Sequence, residues 1–250
     1  MLIDTHCHIH STDYKLEADK VIQFAQEADV RKIICVGADV PDSKQALTFA
    51  KSHENCWASI GLHPHDARLG QETYEQLRKL VNDEVIAIGE CGLDYYYNHS
   101  SKKDQEAALH FQIQLAQENN LPMIFHIRDA FEDFWPIFDQ YPNTRGVVHS
   151  FTAGREELDQ ILSRDLLVGL NGIITFTKDA EQLEAAKTVP ASSLVLETDA
   201  PFLTPTPNRG KVNEPNQILT IAKFLSDLRE ESLEDLSIIT TQNAEMLFGI

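Results

Sequence analysis

The sequence predicts an α/β protein of the (β/α)8 TIM barrel class, in a single domain that covers residues 1–250. Short apolar, β-branched runs alternate with amphipathic stretches of helical period, and eight strand-like runs can be counted. Nearly continuous apolar strands separated by helices are typical of a parallel sheet that is buried on both faces. Eight such repeats in 250 residues match one barrel, whereas a doubly wound sheet more often has fewer strands.

The elements follow in chain order. Strands are predicted at 2–8, 31–37, 56–62, 85–90, 122–126, 146–149, 166–170 and 194–198. Helices are predicted at 17–29, 41–53, 103–119, 130–140, 154–163 and 179–187, followed by a last outer helix at 213–228 and a terminal helix at 232–248. Asn213 or Asn216 is expected to cap the first of these two final helices, and Ser232 the second, because Asn and Ser side chains accept hydrogen bonds from the first helical turn.

Composition restricts the partners of the chain. Its 21 basic and 39 acidic residues give a net charge of −18. Such a chain repels a polyanion unless side chains or metal ions concentrate positive charge locally, so a broad basic nucleic-acid groove is excluded. No signal segment or apolar run long enough for a bilayer is found, which predicts a cytoplasmic protein with no membrane partner. Cys7, Cys35, Cys56 and Cys91 form no C-x-x-C pair and are expected to be buried thiols.

Polar side chains follow the predicted strands at their carboxyl ends, where the active sites of this fold class lie. They are His6, His8, His63, His65, Glu90, His126, Arg128, His149 and Asp199. In His6-Cys7-His8 both imidazoles point to one face, because residues two apart on a strand do so. Asp4, on the same face, is expected either to orient an imidazole or to close the floor of the barrel.

Six of these residues form a metal-ligand set, predicted at the carboxyl ends of the strands. They are His6, His8, Glu90, His126, His149 and Asp199. Four imidazoles and two carboxylates suit divalent ions such as Zn, Mn, Co or Ni and, less strongly, Mg. Four ligands suffice for one ion, so six predict two ions about 3.5 to 4 Å apart with a bridging carboxylate.

Two divalent ions and two carboxylates leave the predicted site with a charge of about +2, which attracts an anion. Asp199 is placed to orient a water and to accept its proton, while His63 and Arg128 are expected to contact phosphate. Alternatives remain open for both contacts. His63 and His65 could cap backbone at the turn that Pro64 makes, and Arg128 could pair with Asp129 or Asp133.

The loop after the last strand carries a small positive patch. Arg209 and Lys211 there are expected to contact a second phosphate, or else to be ordinary solvated charges. Aromatic residues follow three strand ends, at Tyr95, Tyr96, Tyr97, Phe176 and Phe202. Their rings could stack on bases or pack internally.

Several motifs together resemble the TatD family of metal-dependent deoxyribonucleases, within the amidohydrolase-like barrel enzymes, over nearly the whole chain. They are Asp4-Thr5-His6-Cys7-His8, Gly61-Leu62-His63-Pro64-His65, Gly89-Glu90-Cys91-Gly92-Leu93-Asp94-Tyr95, Pro122 to Ala130, Val148-His149-Ser150-Phe151, Gly172-Ile173-Ile174-Thr175 and Glu197 to Lys211. The resemblance implies that His6, His8, Glu90 and Asp199 surround one metal ion, and that Glu90, His126 and His149 hold the second. Cys91 and His10 depart from the family pattern, but neither removes a ligand.

The residues and the resemblance together predict a 3′-to-5′ exodeoxyribonuclease that acts on single-stranded or frayed DNA ends, with Glu90 and Asp199 as catalytic residues. Another metallohydrolase of the same fold, acting on a small-molecule ester, lactone or aminoacyl ester, is the nearest alternative. No lysine lies at a strand end where it could serve as a carbamylated metal bridge, since Lys32 begins a strand and Lys178 lies beyond one, and this disfavours several of those enzymes. A non-catalytic metal-binding protein is the other alternative. No protein partner is evident from the sequence.

Overall fold

The computed structural model describes residues 1–97 and 99–250. The chain divides into two compact units: residues 1–34 with 150–250, called the terminal unit, and residues 35–149, called the central unit. Eight strands alternate with helices in the predicted order, which confirms the (β/α)8 class. That residues 1–250 form one domain stays a prediction.

The strands are β1 (Leu2–Cys7), β2 (Val30–Val36), β3 (Cys56–Ile60), β4 (Val85–Asp94), β5 (Met123–Arg128), β6 (Gly146–Val148), β7 (Leu167–Leu170) and β8 (Leu194–Leu196). The helices are α1 (Ala18–Glu27), α2 (Val40–Ser52), α3 (Gln71–Leu80), α4 (Lys102–Glu118), α5 (Phe131–Phe138), α6 (Arg155–Leu162), α7 (Ala180–Thr188), α8 (Ile218–Arg229) and α9 (Leu233–Phe248). The sequence does not predict α3, because this strongly polar helix buries only Thr73, Tyr74 and Leu77 and its apolar stripe is short.

In the terminal unit, β7 and β8 pair in parallel, and an isolated parallel bridge joins Cys7 to Ala200 just beyond β8. Every residue of β1 is buried. Three polar side chains in β1 are fully buried, those of Asp4, Thr5 and His6. Such groups are kept inside a protein only where hydrogen-bond partners or a ligand compensate for lost hydration.

The final helices test the predicted caps. Ser232 accepts a hydrogen bond from the backbone N–H of Asp235, as predicted for the cap of α9. The prediction of Asn213 or Asn216 as the cap of α8 is wrong, because a 3-10 turn at Pro215–Gln217 precedes α8 and Gln217 is its cap. The Asn213 amide is instead buried among carbonyl groups of the loop that follows β8.

In the central unit, β3, β4, β5 and β6 pair consecutively in parallel. Two buried glutamines on one face of α4 fix the chain where β3 and β4 end. Gln112 bonds both the N–H and the carbonyl of Leu62, at 2.7 and 3.0 Å. Gln105 bonds both backbone groups of Asp94, at 2.8 and 3.0 Å. A buried helix face therefore holds the backbone beside His63 and at Asp94.

All four cysteines are buried thiols, as predicted. Across the parts of the chain that the structure describes, no helix has both the length and the apolar composition that crossing a membrane requires.

Candidate metal-binding site

Three predicted ligands lie together in the terminal unit. Nε2 of His6 is 3.1 Å from Nε2 of His8, and Oδ1 of Asp199 lies 3.7 and 3.5 Å from these two nitrogens. Ligand atoms bound at about 2.1 Å around one tetrahedral ion lie roughly 3.4 Å from each other. The three observed distances are close to this value, so this donor set fits a divalent ion. We call it the His6 cluster.

A buried carboxylate ties β1 to the segment that carries Asp199. Oδ1 of Asp4 accepts hydrogen bonds from the backbone N–H groups of Thr198 and His6, at 2.9 and 3.3 Å, and Oδ2 accepts from the Thr198 hydroxyl at 2.5 Å. Burial raises the pKa of Asp4 to about 8, although these hydrogen bonds oppose the shift. Asp4 thus supports the His6 cluster through the backbone on both sides of it.

The other predicted ligands lie together in the central unit, around one carboxylate oxygen. Oε1 of Glu90 is 2.8 Å from Nδ1 of His126, 3.3 Å from Nε2 of His149 and 3.4 Å from Nε2 of His63. Burial alone would raise the pKa of Glu90, but His63, His149 and His126 outweigh it and hold this pKa well below its ordinary value. An ionised carboxylate among imidazoles is again a donor set for a divalent ion. We call it the Glu90 cluster.

An irregularity in β4 places Glu90. Between Ile88 and Cys91 the register with β5 shifts, so that three steps along β4 match two along β5. Such a bulge re-aims the side chains beside it. Gly89 lies there with a φ of +151°, and a Cβ on it would come within 2.5 Å of the carbonyl oxygen of Ile124. Glycine is therefore required next to Glu90, which accounts for the Gly-Glu pair in the sequence.

Asp94 is a site residue that the sequence interpretation did not include. Its Oδ2 lies 3.0 Å from Nε2 of His126 and 3.1 Å from Nε2 of His65. Burial alone would raise the pKa of Asp94, but hydrogen bonds from His126, the Tyr97 N–H and His65 outweigh burial and lower it. Spacing is a signal that could have found Asp94, because residues four apart on a strand, here Glu90 and Asp94, share a face.

Both nitrogens of His126 therefore face a carboxylate oxygen. Burial alone would lower the pKa of His126, but its hydrogen bonds to Asp94 and Glu90 outweigh burial and raise it. A histidine whose outer nitrogen donates to a carboxylate presents its other nitrogen to a metal ion in a fixed orientation. This geometry suits His126 for the ligand role predicted from its position at a strand end.

The pKa of His63 is lowered, whereas that of His126 is raised. Its Nδ1 accepts a hydrogen bond from the backbone N–H of His65 at 3.2 Å, so the proton of the neutral ring lies on Nε2. Burial lowers the pKa of His63 to about 4, which leaves the ring neutral at pH 7. Nε2 lies 3.4 Å from Oε1 of Glu90. The tautomer makes it a hydrogen-bond donor, as a phosphate contact requires.

The guanidinium groups of the two predicted arginine contacts each lie over an aromatic ring. Arg128 is exposed, with its guanidinium 3.9 Å from the ring centroid of Tyr96. Asp133, one of its possible partners, pairs with Lys102 at 3.2 Å. The guanidinium of Arg209 lies 3.7 Å from the ring centroid of Phe176 and donates to the carbonyl of Thr204 at 2.8 Å.

The remaining candidates for substrate contact include Lys211, Tyr95 and Phe202. Lys211 donates to the side chain of Asn208 at 3.0 Å. The Tyr95 ring is covered by Lys102, whose Nζ lies 3.8 Å from the ring centroid. Phe202 is exposed, and its ring centroid is 6.3 Å from that of His8. Substrate contacts by these residues and by His63, Arg128 and Arg209 stay predictions, as does the sharing of Glu90 by two ions.

Residues 3–249 match the sequence model of a family described as TatD related DNase. The uncharacterized metal-dependent hydrolase YabD of Bacillus subtilis is 37% identical over the full length of both chains. A protein of Erwinia amylovora named 3′-5′ ssDNA/RNA exonuclease TatD is 36% identical, again over the full length of both. The crystal structure of the TatD homologue YjjV from Escherichia coli superposes with a TM-score of 0.93 at 27% identity, covering 100% of this chain and 98% of that one.

Proposed function

The chain belongs to the TatD-related DNase family and is a metal-dependent hydrolase, and from this premise we propose that it removes nucleotides from the 3′ end of single-stranded or frayed DNA. The observation that carries the proposal is the Glu90 cluster, a buried ionised carboxylate with three imidazole nitrogens within 3.4 Å of one oxygen. A relative 36% identical to this chain is named as a 3′-5′ ssDNA/RNA exonuclease, which supports the choice of substrate and polarity.

Two divalent ions are part of the proposal. His6, His8 and Asp199 would hold one, and Glu90, His126 and His149 the other, with Glu90 shared as the resemblance implies. When bound, such ions supply Lewis acidity toward a phosphoryl oxygen and lower the pKa of a coordinated water. Sets rich in imidazole favour Zn, Mn, Co or Ni over Mg. A relative 37% identical to this chain is named as a metal-dependent hydrolase, which agrees with both donor sets.

The residues of the chain have separate roles in this reaction. Asp199 accepts the proton of the attacking water as the water oxygen bonds to phosphorus. The bond between phosphorus and the O3′ of the preceding nucleotide breaks, O3′ takes up a proton from solvent to become a hydroxyl, and the 3′-terminal nucleotide is released as a 5′-phosphate. Nε2–H of His63 donates to a non-bridging oxygen, because its ring is neutral and protonated at that atom.

The charge of the chain supports action at an end rather than along a duplex. With a net charge of −18, the protein as a whole repels DNA, and phosphate must be attracted locally. Contact with few phosphates is enough for an enzyme that binds a terminus, whereas tracking a duplex requires many basic contacts.

The test is hydrolysis of single-stranded oligonucleotides labelled at the 5′ or the 3′ end. Chelated enzyme receives Mg²⁺, Mn²⁺, Co²⁺, Ni²⁺ or Zn²⁺ singly, with Asp199→Asn as the inactive control. A ladder of 5′-labelled products that shortens stepwise from the 3′ end supports the proposal. Shortening from the 5′ end contradicts the polarity. No cleavage by protein that carries two ions contradicts the nuclease and favours an ester hydrolase that acts on small molecules.

A further inference from the structure

We propose that Tyr96, Tyr97 and Arg128, which we call the shelf, bind a nucleotide of the retained DNA strand, immediately 5′ of the phosphate that is cleaved. The inference rests on the proposed function and adds the place where the strand is held. The rings stack on the base, and the guanidinium contacts the phosphate of that nucleotide.

The shelf exposes aromatic surface, although the Tyr97 ring also contacts the rings of His65 and His99, at centroid distances of 5.3 and 5.7 Å. Tyr96 is 57% and Tyr97 42% exposed. Every other Phe, Tyr and Trp among residues 35–97 and 99–149 is buried or half-buried. The two rings lie 4.8 Å apart edge to face, and thus present two differently oriented surfaces. Exposed rings of this kind bind bases of any sequence, because every base has a face that stacks.

The third member of the shelf supplies positive charge. The guanidinium of Arg128 lies 3.9 Å from the centroid of Tyr96 and 5.0 Å from that of Tyr97. Within the described part of the chain, no carboxylate forms an ion pair with it, although acidic residues outnumber basic ones by 39 to 21. A guanidinium stacked on a ring keeps its N–H edge available, and this edge matches phosphate geometry. Aromatic faces beside such an edge are the features that recognise a nucleotide.

Asp94 connects the shelf to the Glu90 cluster. Its Oδ1 accepts from the backbone N–H groups of Tyr96 and Tyr97, at 3.0 and 2.9 Å, while its Oδ2 bonds His126. Arg128 lies two residues after His126 on β5 and therefore on the same face of that strand. One carboxylate thus fixes the start of the shelf relative to a predicted metal ligand, as a binding site adjoining the cleaved bond requires.

Exposure indicates which nucleotide the shelf holds. The retained strand must continue into solvent. The nucleotide that becomes its 3′ end after cleavage therefore needs a binding surface that is open to solvent on the side away from the cleaved bond. Rings that are about half exposed provide such a surface. This places the shelf at the second position from the 3′ end, which becomes the new terminus after cleavage.

The experiment combines protein variants with substrates that lack one base. Tyr96→Ala with Tyr97→Ala removes the rings, Tyr96→Phe with Tyr97→Phe retains them, and Arg128→Lys retains charge without the planar group. Phe24→Ala is the matched control, because Phe24 is a 45% exposed ring on α1 in the terminal unit. The substrates are 5′-labelled oligothymidylates that are intact, abasic at the terminal position, or abasic at the second position.

On the intact strand, the double alanine variant should lose about 10-fold or more in kcat/KM, the size of one base stack, mainly through KM. The double Phe variant should lose much less kcat/KM than the double alanine variant, because it retains both rings, and Phe24→Ala should match the wild type. With the second position abasic, the wild type should fall to the level of the double alanine variant, which should lose nothing further. The proposal is overturned if the double alanine variant still loses the same factor in kcat/KM when the second position is abasic. It is also overturned if that loss disappears only when the terminal position is abasic.

The inference can also be tested if the proposed function fails. Chelated protein is titrated with a fluorescein-labelled oligothymidylate, and binding is followed by anisotropy without any turnover. A Kd raised about 10-fold by the double alanine variant and raised by Arg128→Lys, but unchanged by Phe24→Ala, supports the shelf even if no strand is cleaved. Equal affinity for all variants, or no binding by the wild type, overturns it.

Discussion

Asp94 and His126 form a pair in which Oδ2 of the carboxylate lies 3.0 Å from Nε2 of the ring, while Nδ1 of the same ring lies 2.8 Å from Glu90. The outer carboxylate holds a proton on Nε2. The inner nitrogen, Nδ1, is thereby oriented toward Glu90, and a metal ion that bound there would displace the proton between Nδ1 and Oε1. We therefore expect Asp94 to be a positioning residue, which would act on a metal ion through His126.

Asp94→Asn should weaken metal binding without unfolding the protein. An amide has one acceptor oxygen, so it cannot accept both from His126 and from the two tyrosine N–H groups. Loss of such an outer partner typically costs about 10- to 100-fold in metal affinity. Calorimetric titration of chelated protein with Zn²⁺ or Mn²⁺ measures the effect. Asp129→Asn is the matched control, because Asp129 is exposed and its φ of +53° is tolerated by Asn. Equal affinities in both variants would contradict the role of Asp94.

Asp199→Asn should abolish hydrolysis and preserve the fold. Asp199 has a φ of +58°, a conformation that Asn adopts as readily as Asp, so the backbone should not change. An amide cannot accept the proton of the attacking water, and loss of general-base catalysis costs about 10²- to 10⁴-fold in rate. Turnover of a labelled oligonucleotide is measured beside the urea midpoint and the metal content. Full activity with metal bound would rule out the assigned role.

Glu90→Gln should lower the metal content as well as the activity. The substitution removes the carboxylate that faces His126, His149 and His63 at once, and a neutral amide is a weaker ligand. Because Glu90 is predicted to be shared, we expect less than two equivalents of metal by elemental analysis and no detectable hydrolysis. The matched control is Glu84→Gln, which makes the same change at an exposed carboxylate. Two tightly bound equivalents in Glu90→Gln would contradict a shared ligand.

Sequence periodicity was sufficient for the fold class, because buried parallel strands are apolar throughout and stand out from amphipathic helices. It was insufficient for α3, whose apolar stripe is too short to be recognised, and for Asn213, whose amide bonds loop carbonyls rather than a helix end. A helix cap is predicted from local sequence alone. The Asn213 side chain instead bonds buried carbonyl groups that are distant from the helix end, and local sequence does not reveal these partners.

The ligand residues could be predicted because a histidine or carboxylate directly after an apolar strand is conspicuous. The structure brings them together within each unit, in the His6 and Glu90 clusters. The role of Asp94 could not be predicted in the same way, since it depends on which nitrogen of His126 faces which carboxylate. The position of Arg128 on Tyr96 likewise depends on how the segment after β4 turns. Sequence spacing suggested aspartates as its partners instead.

Asn213→Ala should destabilise the loop that carries Asp199. The buried amide of Asn213 donates to the carbonyl oxygens of Thr198 and Phe202, at 2.9 and 2.6 Å, and its Oδ1 accepts from the N–H of Glu214 at 3.0 Å. Alanine leaves these buried groups without their partner, which should cost about 1–3 kcal/mol in the free energy of unfolding. Urea unfolding of chelated protein measures this cost without a contribution from bound metal.

Asn216→Ala provides the control for that measurement, because its half-buried side chain accepts a hydrogen bond from the neighbouring Gln217 and, among the described residues, forms no bond to a distant carbonyl. The expected cost of removing it is below about 0.5 kcal/mol. Since Thr198 precedes Asp199 directly, Asn213→Ala should also reduce turnover, while Asn216→Ala should not. If both variants unfold at the wild-type urea concentration, the Asn213 amide does not hold this loop, and Asp4 remains the side chain that anchors Thr198.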